Sequence, residues 1–93
     1  MDTDTATSTS PIQIIIGQRG WVWVGRVSTN GDKVRIQNAK CIRRWGTTKG
    51  LGELVAGPKP TTVLDPAGTL HLHTLGVVAV YEVDQEAWNG HLS

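Results

Sequence analysis

Ninety-three residues suffice for one domain with a modest core and exclude a catalytic domain joined to a regulatory one. The formal net charge of +1 hides a segregation: all nine Lys and Arg lie between Arg19 and Lys59, where Asp32 and Glu53 are the only acids. That middle carries +7, the head −2 through Asp2 and Asp4, and the tail −4 through Asp65, Glu82, Asp84 and Glu86, so the chain bears either an anion-binding face or a basic side that meets a neighbour's acidic side.

There is no Phe, and Val, Ile, Leu and Ala with four Trp and one Tyr supply the apolar content, a composition that leans to strands. Cys41 stands alone, which rules out an internal disulfide and fits a reducing compartment. Residues 1–11 are acidic and rich in Ser and Thr, without the basic start and apolar run of a signal peptide. They are expected to form a flexible arm ahead of one β domain over 12–93. No run approaches membrane-spanning length, so the expectation is a cytoplasmic protein.

Taken in chain order, residues 12–16 form a first apolar strand ended by Gly17, and 21–28 a second. Asn30-Gly31 lies between this second strand and 33–39, and Asn-Gly supplies the two positive-φ residues of a type I′ hairpin. Asp65-Pro66-Ala67-Gly68 has the pattern of a type I turn joining 61–64 to 69–74. Gly76 opens 77–83, whose nearly continuous apolar character predicts a central strand. Residues 84–88 predict one helical turn capped by Asp84 and stopped by Gly90. The sum is an all-β domain, a small barrel or sandwich of SH3-like size, with a Gly-rich loop or one-turn helix at 46–56.

A two-residue Asn30-Gly31 loop fixes the register. Val27 then faces Val34, Gly25 faces Ile36 and Trp23 faces Asn38 on a core side. On the other side Arg26 faces Arg35, flanked by Ser28 opposite Lys33 and Val24 opposite Gln37. Two arginines in direct opposition repel, which predicts a negative group nearby: Glu82 of the same fold, an acid of a neighbouring subunit, or a bound phosphate.

Residues 42–54 combine Arg43, Arg44, Trp45, Thr47, Thr48 and Lys49 with Gly46, Gly50 and Gly52. Glycines let backbone N–H groups converge on an anion, and lysine and arginine add charge and forked donors. The glycine spacing is not that of a Walker A loop. Leu51, Leu54 and Val55 also fit a helical turn packed over an open end of the fold. The two readings are compatible.

Arg-Arg-Trp-Gly-Thr-Thr-Lys-Gly-Leu-Gly-Glu-Leu at 43–54, with Thr62-Val63-Leu64-Asp65-Pro66 and Gly68, resembles a small family of uncharacterised proteins encoded by phages and prophage-bearing bacterial genomes, over about residues 21–83. The resemblance implies a phage origin and a compact β fold, and no activity for any residue. His71 and the acidic head fall outside that pattern.

His71 and His73 share one strand face, which is how a zinc site can begin, but the local sequence holds no third ligand. Two solvent-facing histidines are the expectation, with no metal and no cofactor. Cys41 is expected to pack as a small apolar residue. No Ser-His-Asp arrangement and no carboxylate pair outside the tail suggests catalysis, so a non-enzyme is expected. Three classes follow. The first is an oligomeric binding module whose Arg26, Arg35, Arg43, Arg44, Trp45, Thr47, Thr48 and Lys49 hold a small anion, such as a nucleotide or signalling molecule that a phage gains by sequestering in the host cytoplasm. The second is an assembly protein, in the virion or the cell, whose basic middle docks on a neighbour's Glu82, Asp84 and Glu86 while Trp21 and Trp88 bury at the interface. The third binds single-stranded nucleic acid, against which the near balance of acids and cations weighs.

Overall fold

A computed structural model describes residues 10–92. Five strands form one sheet: β1 (Ile12–Gly17), β2 (Val22–Asn30), β3 (Lys33–Arg44), β4 (Val63–His73) and β5 (Val77–Glu82). Short 3₁₀ turns occupy Gln18–Gly20, Leu51–Ala56 and Thr74–Gly76, and α1, the one α-helix among the described residues, covers Gln85–Asn89. The order is β4-β3-β2-β1-β5 with every neighbour antiparallel, a meander whose last strand returns to the first.

The all-β class is as expected, but the sheet does not close into a barrel, because β4 and β5 are its two edges and share no ladder. Laid flat, five strands would hold these edges about 19 Å apart, beyond the roughly 14 Å reach of the link through Thr74–Gly76. The sheet must therefore curl strongly, and each of its faces carries a buried cluster. On one face Ile12, Ile14, Val22, Val24 and Ile42 pack under Leu51, Leu54, Val83 and Trp88. On the other, inside the curl, lie Ile15, Val27, Val34, Ile36 and Ala39. This two-sided burial explains why β1 is a run of isoleucines rather than an alternation.

The hairpin register differs from the expected one by two residues. Asn30 is the last residue of β2 and pairs with Lys33, leaving Gly31 and Asp32 as the loop. Gly31 has φ +63° while Asp32 keeps a negative φ, the pattern of a type II′ turn, which asks for one positive φ and places it on glycine. A shift of two preserves which residues share a face but changes who stands opposite whom. Arg26 faces Gln37 and Arg35 faces Ser28, so the expected Arg26–Arg35 opposition does not occur; Val27 faces Ile36 and Trp23 faces Cys41.

A bulge in β3 lies between these pairs, with Asn38 at φ +54°. Gly25 sits against it: a Cβ there would come within 2.6 Å of Ile36 Cγ2 and 2.8 Å of the Gln37 carbonyl. The Asp65-Pro66-Ala67-Gly68 stretch is no turn either. β4 runs straight through it, with register breaks near Pro66 and Gly68. The proline and the positive φ of Gly68 serve bulges in an edge strand, where a missing N–H can face outward at no cost to the ladder. The apolar run after Gly76 is an edge strand rather than a central one, paired with β1 alone.

Both ends of the domain are fastened by side chains. Asp84 Oδ1 accepts from the Ala87 N–H at 3.1 Å and caps α1, and Gly90 ends it, as the sequence predicts. Gln85 then completes a ladder that β5 has left: its Oε1 accepts from the Ile12 N–H at 2.7 Å and its Nε2 donates to the Ile12 and Val83 carbonyls. Ser10 is buried, and the Pro11 carbonyl accepts from the Val27 N–H at 2.9 Å. The domain therefore begins by Ser10 rather than Ile12; the rest of the expected arm, residues 1–9, lies outside the described residues.

Candidate functional site

Strand parity assembles the site. Val24 and Arg26 share the face of β2 that carries the Trp88 core, and the hairpin register continues that face through Ser28, Arg35 and Gln37, with Lys33 two residues before Arg35. The bulge returns Lys40 to the same side, opposite Val24. β4 adds His71 opposite Arg35 and His73 opposite Lys33. The face is thus divided. Its β1-proximal half is apolar and covered by Leu51–Ala56 and α1, whereas its hairpin half is polar, cationic and open. The acids of the five strands, Asp65 opposite Cys41 and Glu82 opposite Gln13, both fall on the other face.

Arg26 stands at the seam. It donates from Nη1 to the Ser10 carbonyl at 3.2 Å and from Nη2 to Asn89 Oδ1 at 2.7 Å, so it ties the N-terminal entry to α1. Arg35 is half-buried, and its Nε is buried with no acceptor among the described residues. A buried donor left unpaired costs about 1–3 kcal/mol, and such an atom calls for a partner. His73 is structural: Nδ1 accepts from the Leu75 N–H at 3.0 Å, and Nε2 lies 3.3 Å from Asp32 Oδ2. With the Asp32 carbonyl accepting from the Thr74 N–H, it pins the hairpin tip to the β4–β5 link. His71 is exposed beside Arg35.

The eight residues expected to bind an anion do not form one site. Arg35 and Arg44 are nine residues apart on β3, about 30 Å along the strand, so no small ligand spans them. Arg43 points to the other face, where Nε lies 2.6 Å from Asp65 Oδ2. That hydrogen bond and the adjacent charge raise the Arg43 guanidinium's hold on its proton. The loop of Trp45, Thr47, Thr48 and Lys49 is closed by the chain's own residues. Thr62 Oγ1 donates to the Trp45 carbonyl at 2.6 Å and Thr61 Oγ1 to the Gly46 carbonyl at 3.1 Å. Gly46 is required there, at φ +68° and with room for no Cβ beside Thr61.

The anion at the centre of this loop is Glu53. Thr48 Oγ1 donates to its Oε2 at 3.2 Å, the Lys49 N–H donates to the same oxygen, and Lys59 Nζ lies 3.8 Å from Oε1. Desolvation pushes the Glu53 carboxyl up, but those donors and the Lys59 charge outweigh it and hold it below the usual carboxylate range. The acceptor that this segment's donors meet is thus a carboxylate of the chain itself, where the composition predicts a small anionic ligand.

Among the expected interface residues, Trp88 is corrected: it is fully buried within its own chain, donating from Nε1 to the Leu54 carbonyl at 2.7 Å. Trp21 is 58% exposed and stacks on Trp23 at 6.2 Å. Glu82, Asp84 and Glu86 are exposed, with Asp84 engaged as the helix cap. Lys33, Gln37, Lys40 and His71 join the basic face although the expected set omits them. The signal for Lys33 and Gln37 was present, since both share strand parity with Arg35. Burial and the nearby Asp65 push the Cys41 thiol up, away from the reactive thiolate. Among the described residues no three His, Cys, Asp or Glu side chains group as metal ligands, and no helix is long and apolar enough to cross a membrane. No protein-family model matches this chain, and a search of curated proteins finds no match to it.

Proposed function

We propose that this protein is a non-enzymatic binding module, of phage type and acting in the host cytoplasm, that holds a small phosphate-bearing ligand such as a nucleotide on the open basic half of its sheet. The observation that carries this reading is Arg35: its buried Nε lacks an acceptor, and it lies among Lys33, Gln37 and His71 on a face without strand acids. A phosphate oxygen supplies that acceptor, and forked guanidinium donors suit it. Lys33 and Arg35, two residues apart on one strand face, are about 7 Å apart, a spacing one phosphate group can bridge.

Isothermal titration with ATP and with a cyclic dinucleotide at low salt tests this. Arg35→Gln is expected to weaken the bound species at least about tenfold, the scale of one lost charge-assisted bond, with Arg44→Gln as an unaffected control. Absence of binding by the unaltered protein, or equal binding by Arg35→Gln, overturns the reading.

A second reading, self-assembly, is favoured by one separate observation, the exposed apolar edge of β5. In its expected form, the basic middle docking on the acidic tail, it loses Trp88 as an anchor and keeps Trp21, Glu82 and Glu86.

A further inference from the structure

The two edges of the sheet are guarded unequally. β4 carries Pro66, Asp65, His71 and His73 and breaks register against β3 at three places, the devices that keep an edge from pairing. β5 has none of these between Val77 and Tyr81: no charge and no proline, with the one irregularity at the Gly17 end. Val78 is 65% and Val80 48% exposed. Gly17 pairs with Val77, and Gln18 Nε2 reaches the Leu75 carbonyl at 3.4 Å, so the Gln18–Gly20 turn and exposed Leu75 extend the same border.

We infer that β5 is the contact with a second copy of this chain: two β5 strands pair antiparallel about a two-fold axis at Ala79, merging two sheets into one of ten strands. This deepens the assembly reading and rests on it. Centring on Ala79 sets Val78 opposite Val80 and Val77 opposite Tyr81, so every facing pair is apolar. Each Glu82 then falls beside Gly76 of the other copy, next to the turn bearing Arg19. Glu82 and Arg19 are both exposed and have no ion-pair partner among the described residues, and the two-fold axis matches them twice. Parallel pairing in register would set Glu82 against Glu82, so the charges select the antiparallel arrangement. The segregation of cations and acids along the chain thus becomes complementarity across one strand edge, through Arg19 and Glu82 rather than the whole tail.

Native mass spectrometry and sedimentation of the full chain across about 1–100 μM test the pairing. The unaltered protein is expected to dimerise, and Val80→Lys to weaken the dimer at least tenfold while its circular dichroism stays unchanged, since that side chain is half-exposed. Arg19→Glu is expected to weaken it as well, and Arg19→Glu with Glu82→Arg to restore it. A dimer indifferent to Val80→Lys and to the charge swap overturns the β5 contact and leaves self-assembly standing. A monomer throughout overturns both. Neither result bears on nucleotide binding, because Arg35 is on β3, which does not pair with β5, and it faces the Trp88 side of the sheet whereas Val80, opposite Ile15, faces the other.

Discussion

The face of the sheet that carries Trp88 has two halves built on the same strands with the same alternation, and they are opposite in chemistry. Where Leu51, Leu54 and Trp88 provide a cover, β1, β2 and β3 present Ile12, Ile14, Val22, Val24 and Ile42. Where the cover stops, β2 to β4 present Ser28, Lys33, Arg35, Gln37 and His71. Strand period settles which residues share a face; the third-dimensional cover settles whether that face is core or binding surface. The cover is itself fastened by the chain's polar groups: Trp88 to Leu54, Gln85 to Ile12, Arg26 to Asn89.

The largest expected effect strips the covered half. Trp88→Ala removes a fully buried indole and its hydrogen bond, costing about 3–5 kcal/mol, a large share of the stability of a domain this size. Calorimetry should show collapse of the cooperative transition at physiological temperature. Gly25→Ala tests the bulge that separates the halves. Its new methyl has no room beside Ile36 and the Gln37 carbonyl, and overpacking of this kind costs about 1–3 kcal/mol, measurable as a lower denaturant midpoint at constant slope. Next is the seam. Arg26→Gln loses two partly exposed hydrogen bonds and is expected to cost about 1 kcal/mol, with faster amide exchange confined to Ser10–Ile12 and α1.

Acid acts on the base of the cover. Because the folded Glu53 carboxyl titrates below its unfolded range, its contribution is complete above the ordinary Glu pKa of about 4.3 and is lost as pH falls through the lower folded value. The Lys49 amide resonance should therefore titrate with a midpoint below the ordinary range, and Glu53→Gln should abolish that transition. Smallest in loss of stability is Arg35→Gln in the open half, which removes the unpaired buried Nε and is expected not to destabilise the protein. If it instead destabilised as Trp88→Ala does, the open half would be core after all.

The separation of faces was legible from the sequence because side-chain alternation is a local property of the strand: Val27, Val34 and Ile36 on one side, Arg26 and Arg35 on the other. The Asp84 cap, the Gly90 stop and the packing of Leu51 and Leu54 were legible for the same reason. The opposition of Arg26 and Arg35 was not. Asn30-Gly31 and Gly31-Asp32 are both acceptable two-residue turns, and the choice depends on what β3 must meet in β4 and on where the Asn38 bulge can nest against Gly25. The 43–49 motif pointed to a small anionic ligand; that its donors meet Glu53 of the same chain follows from the path of the chain through Leu51–Ala56.

By itself the sequence determined the all-β class, the alternation that gathers cations on one strand face, and the caps and turn residues, because these depend on neighbours within a few positions. Tertiary structure alone decided that Trp88 is core and not interface, that the apolar run after Gly76 is an exposed edge, and that β3 runs on to Arg44, about 30 Å from Arg35. Burial and adjacency depend on which distant segments arrive to cover a surface, and the order β4-β3-β2-β1-β5, which brings residues 77–82 back beside residues 12–17, is a property of the whole chain.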